Sequence, residues 1–192
     1  MAIYKGNQKQ NKVYKGGTKI GKIYKGSTLI YSSSLPSGII IFESATPGTY
    51  TVNITSSQNY YIELVGSGAS GQTKAGFSKK RYGGGSGAYV YGTQYLAKGT
   101  YTVVIGAGKD VNTNTNGENT TFNNNIAGGG KNSDSSYAGG TYSTTLNGRN
   151  GNTGGQNVTA NSVYNNSSSG YGAGGYSNSS GSISGYAKIV TA

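Results

Sequence analysis

The chain carries few side chains that could perform acid–base or nucleophilic chemistry. Cysteine and histidine are both absent, which excludes thiolate nucleophiles, Ser/His/Asp triads, and metal sites that use Cys or His ligands. The acidic residues are Glu43, Glu63, Asp110, Glu118 and Asp134. Glycoside hydrolysis requires two carboxylates roughly 5 to 10 Å apart in a cleft. Glu43 and Glu63 lie on separate predicted strands, where cross-strand pairing is the commoner role, so we assign no catalytic pair.

Two short motifs are similar to known ligand-binding loops. Residues 66–71 match the G-x-G-x-x-G dinucleotide fingerprint, but neither the helix nor the acidic residue that this site requires follows. We therefore expect a structural turn there. Residues 110–118 alternate oxygen-bearing side chains as a calcium loop does, but the glycine comes two residues too late for the EF-hand spacing. We expect an Asn/Thr loop without a bound cation, and no cofactor or metal elsewhere.

Tyrosine is the main candidate for molecular recognition. Of the 18 tyrosines, many lie among Ser, Asn and Gly, a mixture that combines rigid aromatic contact with adaptable hydrogen bonding. The loop tyrosines are the better receptor-binding candidates: Tyr137, Tyr142, Tyr164, Tyr171 and Tyr176. The alternative, given equal weight, is that these rings simply pack between glycine-rich segments.

In the first 31 residues, an apolar residue followed by Tyr-Lys-Gly recurs every ten residues. The copies are Ile3-Tyr4-Lys5-Gly6, Val13-Tyr14-Lys15-Gly16 and Ile23-Tyr24-Lys25-Gly26. Apolar residues before a Lys-Gly turn predict a meander of small β-hairpins, in which residues 18–24 form one returning strand. The segment holds seven lysines and no acid, within a formal net charge of +11 for the chain. We expect docking to an acidic partner, with nucleic acid as the less favoured alternative.

The rest of the chain predicts an all-β domain. Residues 32–38 have linker composition, and alternating apolar strands are expected from residue 39 onward. The predicted strands are Ile39 to Glu43, Thr49 to Ile54, Tyr60 to Val65, Ala88 to Tyr91, Thr100 to Ile105 and Tyr186 to Val190. The boundaries are therefore 1–31 for the repeat, 32–38 for the linker and 39–192 for the glycine-rich β domain.

The tract from residue 112 to residue 184 has the composition of a disordered linker. Two features favour order: a strand returns the chain to the sheet after it, and Gly148, Gly151 and Gly154 fall at every third position. Three residues per turn is the period of polyproline II geometry, in which glycine-rich segments can pack side by side. The alternatives left open are packed polyglycine II segments and irregular loops.

No apolar run is long enough to span a membrane, and the N-terminus lacks the apolar core of a secretory signal. We therefore expect that the chain does not insert into a membrane and that it is synthesised in a cytosol.

Several motifs in a fixed order resemble the glycine-rich domain of bacteriophage tail fibres, tail tips and related virion adhesins. The resemblance covers about residues 39 to 192 and rests on Thr46 to Val52, Ile62 to Gly71, Gly83 to Val90, Lys98 to Gly108, Asn116 to Phe122, Ala127 to Gly130, and Gly185 to Ile189. It implies a jelly-roll-like β-sandwich with glycine-rich segments, on a virion surface and often trimeric.

This resemblance predicts a non-enzymatic virion protein, made in the bacterial host cytoplasm, that presents a surface for host attachment. The expected partners are other virion proteins, bound through Tyr4, Lys5, Tyr14, Lys15, Tyr24 and Lys25, a host cell-surface glycan or protein, and two further copies of the chain. The first alternative is a head fibre or decoration protein without a receptor role. The second is a cellular glycine-rich surface or ice-binding protein, for which the chain offers no long regular Thr array.

Overall fold

Short alternating strands form a two-layered β-structure in the computed structural model of the chain. The structure describes residues 3–5, 8–10, 13–15, 18–25, 27–32, 34–74, 80–110, 113–132, 137–154, 156, 160–167, 170–175 and 181–192. All regular elements in these ranges are β-strands. The strands are β1 (Ile3–Lys5), β2 (Gln8–Gln10), β3 (Val13–Lys15), β4 (Thr18–Ile20), β5 (Lys22–Lys25), β6 (Thr28–Ser32), β7 (Ile40–Ser44), β8 (Gly48–Ile54), β9 (Gln58–Val65), β10 (Gln72–Lys74), β11 (Lys80–Tyr82), β12 (Tyr89–Leu96), β13 (Gly99–Ile105), β14 (Thr120–Phe122), β15 (Asn125–Ala127), β16 (Tyr142–Ser143), β17 (Asn147–Arg149) and β18 (Tyr186–Thr191).

Two five-stranded antiparallel sheets face each other. Sheet I has the order β17-β12-β9-β18-β7, and sheet II has the order β16-β15-β14-β13-β8. Alternate residues of each strand point into the space between the sheets. Fully buried side chains of sheet I, including Ile62, Leu64 and Ile189, form one apolar cluster with Val103 and Phe122 of sheet II. The all-β class predicted from the strand pattern is confirmed, as is the β-sandwich that the resemblance implies.

The N-terminal repeat forms three separate hairpins, β1-β2, β3-β4 and β5-β6. In the registers, Lys5 pairs with Gln8, Lys15 with Thr18 and Lys25 with Thr28. The predicted single strand over residues 18–24 is wrong, because the chain leaves one hairpin at Ile20 and enters the next at Lys22. Gly21 divides the two strands, so the segment is a series of hairpins rather than a continuous meander.

Residues between the strands of the sandwich form a third region, which we call the glycine lattice. It consists of residues 66–71, 83–88, 106–109, 115–118, 128–131, 137–141, 151–154, 172–175 and 182–185. These segments leave and re-enter the sandwich where β9, β13, β15 and β17 end and where β12, β14, β16 and β18 begin. The lattice therefore extends one end of the sandwich.

Backbone hydrogen bonds in the lattice follow a three-residue period. Along the first segment, Gly66 and Ala69 donate to Ala88 and Gly85, which belong to one neighbour. Ser67 and Ser70 donate to Glu118 and Thr115 of a second neighbour, and Gly68 donates to Ile183 of a third. Donors that turn to a new neighbour at each residue and return after three are the arrangement expected for packed chains with three residues per turn.

The next segment repeats the pattern with other neighbours. Gly84 and Gly87 donate to Gly175 and Gly172, and Gly85 and Ala88 donate to Lys131 and Gly128, while Ser86 donates to Asn152. Within the tract, Gly128 and Lys131 donate to Thr141 and Ala138, and Gly151 and Gly154 donate to Gly140 and Tyr137. These described parts of the tract therefore pack as polyglycine II segments and not as irregular loops. Residues 66–71 belong to the same packing and are buried throughout. The amides from Gly66 to Ser70 each donate to another segment, so the expected structural turn is instead a packed segment of the lattice.

The lattice depends on backbones that approach too closely for a β-carbon. A Cβ added to Gly151 would lie 2.0 Å from the carbonyl oxygen of Ser86. One added to Gly68 would lie 1.9 Å from the oxygen of Ala173, and one added to Gly87 would lie 1.9 Å from that of Gly66. Backbone atoms cannot move aside as a flexible side chain can, so a substituent at these positions separates whole segments.

Replacing Gly151 by Val is expected to lower the free energy of unfolding by about 3 kcal/mol, because overpacking forces the neighbouring segments apart. Gly99 is the matched control, since its added Cβ would meet nothing closer than a Tyr101 side-chain atom at 3.8 Å. Urea unfolding followed by circular dichroism measures both variants. If Gly151→Val and Gly99→Val unfold at the same urea concentration, the segments are not packed backbone to backbone.

Candidate binding surface

The outer face of sheet I carries an aromatic and charged surface. In the cross-strand register, Glu63 of β9 pairs with Tyr91 of β12 on one side and with Lys188 of β18 on the other, and Lys188 pairs with Glu43 of β7. Residues two apart on a strand share a face, so Tyr89 and Tyr186 lie beside this row. Sequence alternation could have found Tyr89 and Tyr91, which are spaced as neighbours on one face.

Five rings on this face form a contact network, which we call the tyrosine cluster: Tyr89, Tyr91, Tyr164, Tyr171 and Tyr186. Tyr171 stacks on Tyr186 with ring centroids 4.5 Å apart and planes 2° apart. Tyr164 meets Tyr186 at 5.6 Å and the edge of Tyr89 at 5.3 Å, and Tyr89 stacks on Tyr91 at 4.8 Å. Offset stacked and edge-on pairs at these separations are favourable. The cluster thus joins a loop to the sheet.

Two carboxylates anchor the cluster from below. The Tyr89 hydroxyl donates to Oε1 of Glu63 at 2.6 Å, and the Tyr186 hydroxyl donates to Oε1 of Glu43 at 2.6 Å. Lys188 Nζ lies 3.7 Å from Oε2 of Glu43. Glu43 and Glu63 therefore lie on either side of Lys188, each bonded to a tyrosine, which is the cross-strand pairing expected for them.

Burial and the nearby carboxylates keep these tyrosines protonated. Burial raises the pKa of Tyr89 and of Tyr186 above its ordinary value, and the hydrogen bond to a glutamate and the charge of that glutamate raise it further. Burial, followed by the charge of Glu63, also raises the pKa of Tyr164. The hydroxyls therefore remain donors across the neutral and mildly alkaline range.

The loop that supplies Tyr164 and Tyr171 is attached to the glycine lattice. Ser162 Oγ donates to the Tyr171 carbonyl, and Gly174 donates to the carbonyl of Ala160. Gly172, with φ of +71°, donates to Ser184, and a Cβ there would strike the Gly66 carbonyl oxygen at 2.2 Å. These bonds fix the loop over the sheet before any ligand arrives.

The structure separates the five receptor-binding candidates. Tyr164 and Tyr171 lie together in the tyrosine cluster. Tyr137 instead stacks on Tyr82 at 5.0 Å, with its hydroxyl 3.2 Å from Gln72 Oε1. Tyr142 is 42% exposed on β16 in sheet II. Tyr176 lies outside the described residues.

The attachment candidates occupy equivalent positions in the three hairpins. Tyr4 and Lys5, Tyr14 and Lys15, and Tyr24 and Lys25 each end the first strand of a hairpin. Lys15 and Lys22 are exposed, and Tyr24 is 54% exposed.

The loop that resembles a calcium site, residues 110–118, is joined to the segment before it through Glu118. Lys109 Nζ donates to Glu118, and the Ala107 amide donates to Glu118 Oε2 at 3.1 Å. The Lys109 bond, followed by the Ala107 amide, lowers the pKa of Glu118.

Described residues include no helix long and apolar enough to cross a bilayer. Nor do they bring three or more acidic side chains together as a metal site would need.

Raising the pH is expected to destabilise the protein through the tyrosine cluster. Tyrosines of the unfolded chain ionise near pH 10, whereas Tyr89 and Tyr186 have raised pKa values in the folded chain. The folded state then binds more protons than the unfolded state, so stability is complete below about pH 10 and is lost above it. Urea unfolding at pH 7, 9 and 10.5 measures this decline.

Tyr186→Phe removes one of the two donors, and it should cost about 2 kcal/mol at pH 7, as expected for a hydrogen bond to a charged group. The decline between pH 9 and 10.5 should also become shallower. Tyr95, which is 63% exposed, provides the control variant Tyr95→Phe, with no change expected at pH 7. An unchanged alkaline decline in Tyr186→Phe would contradict the role given to this hydroxyl.

Comparison with known proteins agrees with the glycine-dependent packing. No curated protein matches the chain. A family model described as a glycine-rich domain matches residues 44–190. This range includes the whole glycine lattice. It also includes both sheets of the sandwich, except for the first residues of β7 and the last residue of β18. The chain therefore belongs to the glycine-rich domain family.

Proposed function

We propose that the chain is a structural protein of a bacteriophage particle, a fibre or adhesin that displays a binding surface for host attachment. The observation that carries this proposal is the fixed position of the tyrosine cluster, to which residues 160–167 and 170–175, hydrogen-bonded to the lattice, contribute Tyr164 and Tyr171. A surface that is ordered before binding loses less conformational entropy on contact. Tyrosine, serine and asparagine on rigid segments are the composition typical of recognition surfaces.

The N-terminal hairpins supply the second half of the proposal. Three short hairpins of similar sequence lie in the segment that carries the seven lysines, and Lys15 and Lys22 are exposed there. Isolated two-stranded hairpins are marginal in stability, so docking on another surface would stabilise them. We assign them to attachment on an acidic protein of the particle, at head or tail, in a homotrimer of the chain.

Removing residues 1–31 is expected to abolish incorporation into particles, because the basic hairpins are lost. Immunoblots of purified particles, assembled in cells that express either the full chain or residues 32–192, measure incorporation. Circular dichroism should still show a β-rich protein, since both sheets of the sandwich lie after residue 39. Normal incorporation of the truncated chain would contradict the attachment role.

Point variants separate charge from loss of structure. Lys15→Gln combined with Lys22→Gln should reduce incorporation, whereas the exposed control pair Lys98→Gln with Lys131→Gln, on the sandwich and the lattice, should not. Binding of the full chain to host cells then distinguishes an adhesin from a decoration protein. A chain that enters particles but binds no host cell would contradict the receptor role and leave the attachment role in place.

A further inference from the structure

A polar cleft lies beside the tyrosine cluster, at the free edge of sheet I formed by β17. Its volume is about 330 Å³, and its lining residues are Arg149, Asn150, Asn152, Ser162, Val163 and Asn166. This volume falls at the lower end of the range of roughly 300 to 1,000 Å³ for small-ligand sites. The cleft therefore has room for a small polar ligand or for the end of a longer one.

Arg149 supplies the charge of the cleft. Its guanidinium carbon lies 6.0 Å from the centroid of the Tyr91 ring, within the range of a cation–π contact. The ion pairs between described residues are Lys109 with Glu118 and Lys188 with Glu43, so neither uses Arg149. Glu63 instead accepts the hydroxyl of Tyr89. The guanidinium lies over the Tyr91 ring, and its planar array of N–H donors matches the geometry of an anion.

The opposite wall is held by further contacts, between the tyrosine loop and the glycine lattice and within the loop itself. Asn152 Nδ2 donates to the carbonyl of Asn161 at 2.8 Å, and its backbone amide donates to Ser86 Oγ at 2.7 Å. The turn at Val163 to Asn166 is closed by the Asn166 amide, which donates to the Ser162 carbonyl at 2.8 Å. The cleft is therefore preformed, with Arg149 on the sheet edge and asparagines on the lattice side.

We propose that this cleft binds an anionic sugar. A guanidinium forms two parallel hydrogen bonds with a carboxylate or a phosphate, and amide side chains such as those of Asn150 and Asn166 offer both donors and acceptors to hydroxyl groups. A single arginine among amides suits one charged group on a hydroxyl-rich ligand. Nucleic acid, by contrast, calls for several cations along a backbone. The inference rests on the proposed display function and names the ligand class for it.

The test is an NMR titration of the full chain with tri-galacturonate, its neutral methyl ester, galactose 6-phosphate and a deoxythymidine hexamer. We expect one or both anionic sugars to bind at the cleft, and the two arms identify carboxylate or phosphate as the anion. Arg149→Gln should weaken that binding about tenfold or more, as loss of a charge-assisted pair does. Arg149→Lys should bind with intermediate affinity.

Arg81→Gln is the matched control, because Arg81 is exposed on β11 and does not line the cleft. Its affinity should equal that of the unsubstituted chain. Equal binding of the methyl ester, stronger binding of the oligonucleotide, binding that survives Arg149→Gln, or no binding of either anionic sugar would each overturn the inference.

The same variants on host cells separate this inference from the display function. If host-cell binding is unaffected by Arg149→Gln, the cleft is not the receptor site and the display function stands. If the unsubstituted chain binds the sugar in solution but no host cell, the display function fails and the sugar site stands.

Discussion

Each buried backbone amide of the glycine lattice has to reach a carbonyl on a neighbouring segment, because a buried donor without a partner is costly. In a sheet, a strand meets this demand with two neighbours in one plane. In the lattice, successive amides point to three different neighbours, as Gly66, Ser67 and Gly68 do. Neighbours on all sides can be reached only if the backbones nearly touch, and so the positions that face a neighbouring carbonyl are glycine.

Serine takes part in the same packing where a hydroxyl is useful. Ser67 Oγ accepts the amide of Glu118 at 2.6 Å, Ser70 Oγ accepts that of Thr115 at 3.0 Å, and Ser86 Oγ accepts that of Asn152 at 2.7 Å. All three serines are fully buried. They satisfy amides that would otherwise lie unpaired between segments. The lattice in turn fixes the loop that carries Tyr164 and Tyr171, and with it the cleft beside Arg149.

The strands of the sandwich could be predicted because each obeys a local rule. In β8, for example, Val52 and Ile54 are buried while Thr51 and Asn53 are exposed, and this alternation is visible in the sequence. The lattice follows a rule that is not local. Its three-residue period is carried by hydrogen-bond direction, and glycine repeats it only in short runs such as Gly84 with Gly87 and Gly151 with Gly154. Residues 66–71, with glycine at positions 66, 68 and 71, therefore did not suggest polyglycine packing from sequence alone.

The sequence could predict that tyrosines form the candidate surface, but not which tyrosines lie together in it. Tyr164 and Tyr171 were among the receptor-binding candidates, yet their partner Tyr186 belongs to a strand and became recognisable only once β18 was placed between β9 and β7. Arg149 gave no signal, because the role proposed for it depends on the register that sets β17 against β12. Pairings between distant parts of a chain depend on packing that a single sequence does not display.

The three-residue alternation of hydrogen bonds is the central claim, and scalar couplings across those bonds measure it directly by NMR. In the isotopically labelled full chain, we predict couplings from the Ser67 and Ser70 amides to the carbonyls of Glu118 and Thr115, and from Gly66 and Ala69 to those of Ala88 and Gly85. The lattice would be contradicted if the amides of residues 67 and 70 coupled to the same neighbouring segment as those of residues 66 and 69. It would also be contradicted if no couplings were seen and these amides exchanged rapidly with solvent.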